Sequence, residues 1–279
     1  MPVPEERRII ADHPSWSCPA PGRTLEGTPA TSYHAAPDHE QVMPMSPHPA
    51  VVLVDDLPTG ADAPYLPPAG KAAYLPFYDL LSRVTGVRRR HARLVALAEV
   101  RPGDRVLDLG CGTGAVAVRV ARTVPGAHVT GLDPDLPALR RAARAARRAR
   151  VPLTLVRGYG QSLPLPDASV DRVVSSLALH HVPADARAAT AAEIARVLRP
   201  GGTVTVLDFG AHDHGGPARR GHLHRRGDVA DRLRDNLDDG IARLLAGAGL
   251  VDAREVASDR IAGLPLTFVQ AARSSSGPR

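Results

Sequence analysis

The sequence predicts an α/β protein built on a doubly wound, mostly parallel sheet. Three observations predict it. The stretch Val106-Leu107-Asp108-Leu109-Gly110-Cys111-Gly112-Thr113-Gly114 joins a short apolar run to three alternate glycines, and an apolar helical segment follows from Ala115 to Ala121. Five strand-like runs alternate with helix-like segments between residues 106 and 208, the pattern of parallel strands with helices on both faces. Two late runs, Arg254 to Ala257 and Leu266 to Gln270, fit an antiparallel closing pair.

Composition sets the outer limits. The chain has 279 residues, 43% of them hydrophobic, enough for one packed domain with an extension. Residues 1–70 hold 14 of the 27 prolines and show no sustained apolar period. They read as a disordered extension, with residues 71–279 as the folded domain. Within the extension only Val51-Val52-Leu53-Val54 fits a strand. All three methionines (Met1, Met43 and Met45) fall there, so Met43 and Met45 are alternative starts. Two cysteines, Cys18 and Cys111, give no disulfide framework and fit a reducing cytoplasm. No run approaches the length of a membrane span, and the N-terminus lacks a signal-peptide core.

Each element has its own signal. Tyr74 to Leu81 opens the domain with three of the chain's nine aromatic residues, reading equally as a lid or as a core face. Arg88 to Glu99 is helical, with Leu94, Val95, Leu97 and Ala98 inward. Arg101-Pro102-Gly103-Asp104 turns into the strand that ends at Leu109. The next helix stops at Pro125-Gly126, and Val129 to Asp133 is the second strand of the repeat. The helix from Pro137 to Arg150 carries six arginines. Without interleaved aromatics they read as a solvated face rather than a nucleic-acid surface. Leu153 to Val156 and Asp171 to Leu177 are further strands. Ala184 to Leu198 is a helix, Arg199-Pro200-Gly201-Gly202 a tight turn, and Thr203 to Asp208 the fifth strand. Leu233, Leu237, Ile241, Leu244 and Leu245 keep helical spacing near the end.

The chemistry collects where these strands end. Glycines let the turn after Leu109 take positive φ, and the helix after it offers unpaired N–H groups to an anion. The spacing is D-x-G-x-G-x-G rather than the dinucleotide pattern G-x-G-x-x-G. Asp108 beside an anion site suits a ligand carrying both charges, such as the methionine end of S-adenosylmethionine. Asp133, 23 residues after Gly110, ends the next strand and is placed to accept hydrogen bonds from ribose hydroxyls. His180 and His181 follow the strand ending at Leu177, where an imidazole can take a proton from an acceptor hydroxyl or amine. The histidine-rich run 211–227 reads as a substrate-facing loop more readily than as a metal site, so no metal is expected.

These residues resemble the class I S-adenosylmethionine-dependent methyltransferases, from about Tyr74 to the C-terminus. The motifs that carry the resemblance are VLDLGCGTG, GLDPD, LPLPDASVD, SSLALHHV and RVLRPGGTVTVLDFG. The chain is most similar to the small-molecule group that includes the ubiquinone/menaquinone-pathway enzymes. The late stretch Asp235-Asn236-Leu237, Gly240-Ile241 and Ala248-Gly249-Leu250 resembles a bacterial subgroup. The resemblance implies a seven-stranded Rossmann-like sheet with an antiparallel C-terminal strand pair. It implies S-adenosylmethionine as cofactor, held by Asp108, Gly110, Cys111, Gly112, Gly114, Asp133, Pro134, Tyr159, Gln161, Ser176 and Tyr78. His181 and His180 are the candidate catalytic residues, and a small molecule is the methyl acceptor. Many relatives carry Asp where this chain has Tyr159, so adenine is expected to be held by stacking and by backbone or Gln161 contacts. Two alternatives stand beside this reading. One is a nucleic-acid or protein methyltransferase, favoured by the net charge of +6 and disfavoured by Ser175-Ser176-Leu177-Ala178, which lacks the Asn/Asp-Pro-Pro-aromatic tetrapeptide. The other is a relative that binds the cofactor without transferring methyl.

Overall fold

A computed structural model describes residues 50–55, 86–210, 236, 239–261 and 264–275. The aromatic segment Tyr74 to Leu81, the histidine-rich run 211–227, Leu233, Leu237 and most of the proline-rich extension lie outside the described residues. The described chain runs β1 (Val51–Asp55), α1 (Val87–Leu97), β2 (Arg105–Leu109), α2 (Ala115–Thr123), β3 (His128–Asp133), α3 (Leu136–Ala149), β4 (Leu153–Arg157), β5 (Val170–Ser176), α4 (Ala184–Val197), β6 (Leu198–Phe209), α5 (Gly240–Gly247), β7 (Val251–Ile261) and β8 (Leu264–Ala272). A short 3-10 turn, Leu179–His181, follows β5.

The strands form one sheet in the order β1-β4-β3-β2-β5-β6-β8-β7. β8 pairs antiparallel with β6 and with β7, and the other pairs are parallel. The doubly wound architecture and the antiparallel closing pair thus match the sequence reading. The count differs: eight strands are described where seven were expected, because Val51 to Asp55 pairs with Leu153 to Arg157 at the sheet edge. Four consecutive apolar residues give that segment a strand's propensity, and the edge of β4 supplies a partner that sequence periodicity cannot show.

Side-chain alternation divides the core. On one face Val106, Val129, Leu155 and Phe268 pack with Leu94 of α1, Val120 of α2 and Leu139 of α3. On the other, Leu107, Leu109, Val204 and Val206 pack with Ile194 of α4 and with Ile241 and Leu245 of α5. A sheet buried on both faces explains why its strands read as continuous apolar runs. In α3 the alanines and Leu139 face inward, and Asp135 caps the helix by accepting the Ala138 N–H at 3.2 Å. The Arg199 to Gly202 turn lies inside β6 as an irregularity. Leu198 pairs with Val170 and Thr203 with Arg172, so Pro200-Gly201-Gly202 loops out between them.

The edge strand predicts a truncation result. A chain beginning at Met43 keeps β1 and should melt within error of the full chain. One beginning after Asp55 exposes β4 and the face of α3 against it, and its Tm should fall by about 2–4 °C for each kcal/mol lost. Equal melting of the two truncations would show that β1 contributes nothing to stability.

Candidate active site

The crossover direction reverses between β2 and β5, and a cleft opens there at their carboxyl ends. The loop after β2 forms its floor. Gly110 and Cys111 N–H groups donate to the Leu132 carbonyl at 2.8 and 3.0 Å, tying the loop to β3. Gly110 has φ 71°, and a Cβ there would lie 2.4 Å from the Ala178 Cβ, so any larger residue would collide with the chain leaving β5. Gly112 has nothing within 4 Å of its Cβ position, which leaves the backbone open to a ligand.

Two buried carboxylates brace this floor. Asp108 accepts the Ala117 N–H of α2 at 2.9 Å. Asp133 accepts the Gly112 N–H at 2.8 Å and the Asp135 N–H at 2.9 Å. Burial, opposed by the Ala117 hydrogen bond and assisted by Asp133, raises the Asp108 pKa to about 7. Burial raises that of Asp133 to about 6, against its two backbone hydrogen bonds. Burial and the same two acids push the Cys111 thiol up, so it stays protonated and unreactive.

The cleft wall also carries Pro134, Tyr159, Gln161, Ser176 and His181. Ser176 Oγ is buried with no hydrogen-bond partner among the described residues, an arrangement that a polar ligand would relieve. Beside it Leu177 takes φ 54°, a left-handed conformation uncommon for a large side chain, and turns the chain across the cleft. His180 is buried behind the wall. Its Nδ1 lies 2.6 Å from Asp208 Oδ1, and its backbone N–H donates to Oδ2 at 3.2 Å. The His180 and His181 ring centroids are 4.1 Å apart.

Of the residues singled out from the sequence, Asp108, Gly110, Cys111, Gly112, Asp133, Pro134, Tyr159, Gln161, Ser176 and His181 line the one cleft. Gly114 does not. It has φ 79°, and a Cβ there would meet the Ala142 Cβ at 2.8 Å, so its place in the motif reflects close packing of α2 on α3. His180 stands one layer back, and Tyr78 lies outside the described residues. Sequence reasoning missed His91 of α1, which lines the cleft, because a single histidine in an arginine-rich helix carries no signal of direction. Among the described residues no group of histidine, cysteine and acidic side chains is arranged to hold a metal. No described helix is long and apolar enough to cross a membrane.

Residues 106–202, from β2 into β6, match a family model described as a methyltransferase domain. The likeness to a methyltransferase domain thus covers about a third of the chain. It is 36% identical over 156 residues to 27-O-demethylrifamycin SV methyltransferase of Amycolatopsis mediterranei, covering 49% of this chain and 56% of that protein. It is 36% identical over 138 residues to the ubiquinone/menaquinone biosynthesis C-methyltransferase of Syntrophotalea carbinolica, covering 48% and 57%. The chain therefore spans little more than half the length of these curated relatives. A crystal structure of the [4+2]-cyclase SpnF superposes with a TM-score of 0.55 at 22% identity, over 68% of this chain and 81% of that one, a likeness of fold. The matched span, residues 106–202, contains the glycine loop, both buried acids and the two histidines.

Proposed function

We propose that this protein transfers the methyl group of S-adenosylmethionine to a small-molecule acceptor, and that His181 receives the proton the acceptor loses. The observation that carries the reading is the meeting, in one cleft, of the Gly110 to Gly112 loop, the Asp133 carboxylate and His181. The site fits the cofactor. Gly112 is open, Asp133 ends β3 where ribose hydroxyls need an acceptor, Ser176 Oγ lacks a partner, and Asp108 offers negative charge beside a helix N-terminus. Tyr159 and Gln161 supply a ring face and an amide for the base.

When bound, the sulfonium supplies an already electrophilic methyl group. The protein's task is to align the acceptor, exclude water and accept a proton. Leu177, Leu179, Val182 and Pro183 make the acceptor end apolar, with His181 among them. With an acceptor aligned there, His181 would receive the proton that the acceptor loses as it takes the methyl group. Asp208, accepting from Nδ1–H, fixes the tautomer and plane of His180, and the His181 ring lies against it tilted by 41°. The relatives named for demethylrifamycin and for quinone biosynthesis support a small acceptor.

Calorimetry with S-adenosylmethionine, followed by release of labelled methyl to candidate acceptors, tests the reading. Asp133→Ala should weaken cofactor binding by about 1–3 kcal/mol, the scale for hydroxyls left without an acceptor. Equal affinity in native and variant proteins would remove Asp133 from the site.

A further inference from the structure

The first turn of α2 holds two backbone donors in reserve. The Ala117 N–H goes to Asp108 and the Val118 N–H to the Gly114 carbonyl, each at 2.9 Å. The N–H groups of Ala115 and Val116 make no hydrogen bond among the described residues, and both residues line the cleft. α1 lies alongside, joined to α2 where the Arg119 guanidinium donates to the Arg88 carbonyl at 3.3 Å. One turn further along α1, His91 faces the same cleft. Among the described residues nothing hydrogen-bonds its ring. Burial, then the nearby Arg119, lowers its pKa to about 4, so the imidazole is neutral and carries one N–H donor.

We infer that His91 binds the cofactor's amino-acid end, its imidazole N–H donating to the carboxylate that the Ala115 and Val116 N–H groups approach from α2. This rests on the methyltransferase reading of the cleft. A carboxylate accepts several hydrogen bonds, and two backbone donors from a single helix end do not surround it. A neutral donor also suits this place better than a lysine or arginine. The ligand's ammonium and sulfonium share the cleft, and a fixed positive charge would oppose both.

The test uses the full chain and two probes. S-adenosylhomocysteine carries the carboxylate, and its decarboxylated form, S-adenosyl-3-thiopropylamine, keeps the ammonium and lacks only that group. His91→Ala should weaken the first about tenfold or more and leave the second unchanged. His91→Gln, which keeps a neutral N–H donor, should recover much of the loss. The readout is the ratio of the two affinities within each variant, so a reduced folded fraction does not affect it. A ratio unchanged in both variants would overturn the inference and leave His91 a packing residue. Failure of the native protein to bind either probe would instead overturn the methyltransferase reading beneath it.

Discussion

Replacing His181 with alanine lowers methyl transfer about a hundredfold or more while cofactor affinity stays within a few-fold, if this histidine accepts the acceptor's proton. The separation follows from position. The glycine loop, Asp133 and Ser176 surround the end of the cleft formed by β2, β3 and β5, whereas His181 sits past Leu177 on the turn that follows β5. His180→Ala and Asp208→Asn act at one remove. They loosen the buried pair behind His181, so they should lower kcat less than His181→Ala and shift the pH dependence of turnover rather than the cofactor Kd. A few-fold loss in His181→Ala would reduce its role to positioning the acceptor. Unchanged turnover in both histidine variants would leave Asp208 as the base or show that transfer needs none. Loss of cofactor binding in either would mean that cofactor and acceptor do not divide the cleft in this way.

Most of the architecture was legible because it rests on local patterns. Most strands of the parallel sheet are short runs rich in apolar residues, and several helix boundaries carry a cap, a proline or a glycine, as at Asp135, Pro183 and Gly114. The loop that floors the cleft was legible because glycine spacing and acids at strand ends are themselves the geometry found there. What escaped depends on contacts between segments far apart in the chain. Val51 to Asp55 becomes an edge strand only because β4 has an open side. Gly114 reads as part of a ligand loop, yet Ala142 of α3 demands it. His91 and Arg119 are 28 residues apart, and only the packing of α1 beside α2 turns the histidine toward the cleft. The pairing of His180 with Asp208 likewise joins residues 28 apart: Ser176 of β5 pairs with Leu207 of β6, Asp208 follows Leu207, and His180 lies on the turn after β5.

Asp108→Asn should move stability and binding in opposite directions. Asp108 is fully buried, and its folded pKa of about 7 lies above the ordinary aspartate range. The folded chain therefore binds this proton more tightly than the unfolded chain. The stability it contributes is complete below about pH 4, falls as pH rises through the window between about 4 and 7, and is gone above it. Asp133, raised to about 6, adds to the same trend. Asparagine has no charge to bury and its carbonyl can still accept the Ala117 N–H, so above pH 7 the variant should be more stable than the native chain by about 1–4 kcal/mol in urea unfolding. Near pH 4 the two should be nearly equal. Binding runs the other way, because an ammonium in the cleft stabilises the ionised acid. The native protein should release protons on binding S-adenosylhomocysteine near pH 6–7, visible as a calorimetric enthalpy that varies with the buffer's ionisation enthalpy, and affinity should rise with pH through that range. The asparagine variant should lose about tenfold or more in affinity and most of the proton release. A variant less stable than native at pH 8, or one that binds as tightly with the same proton release, would place the ligand's cation away from Asp108 and leave that acid a helix cap alone.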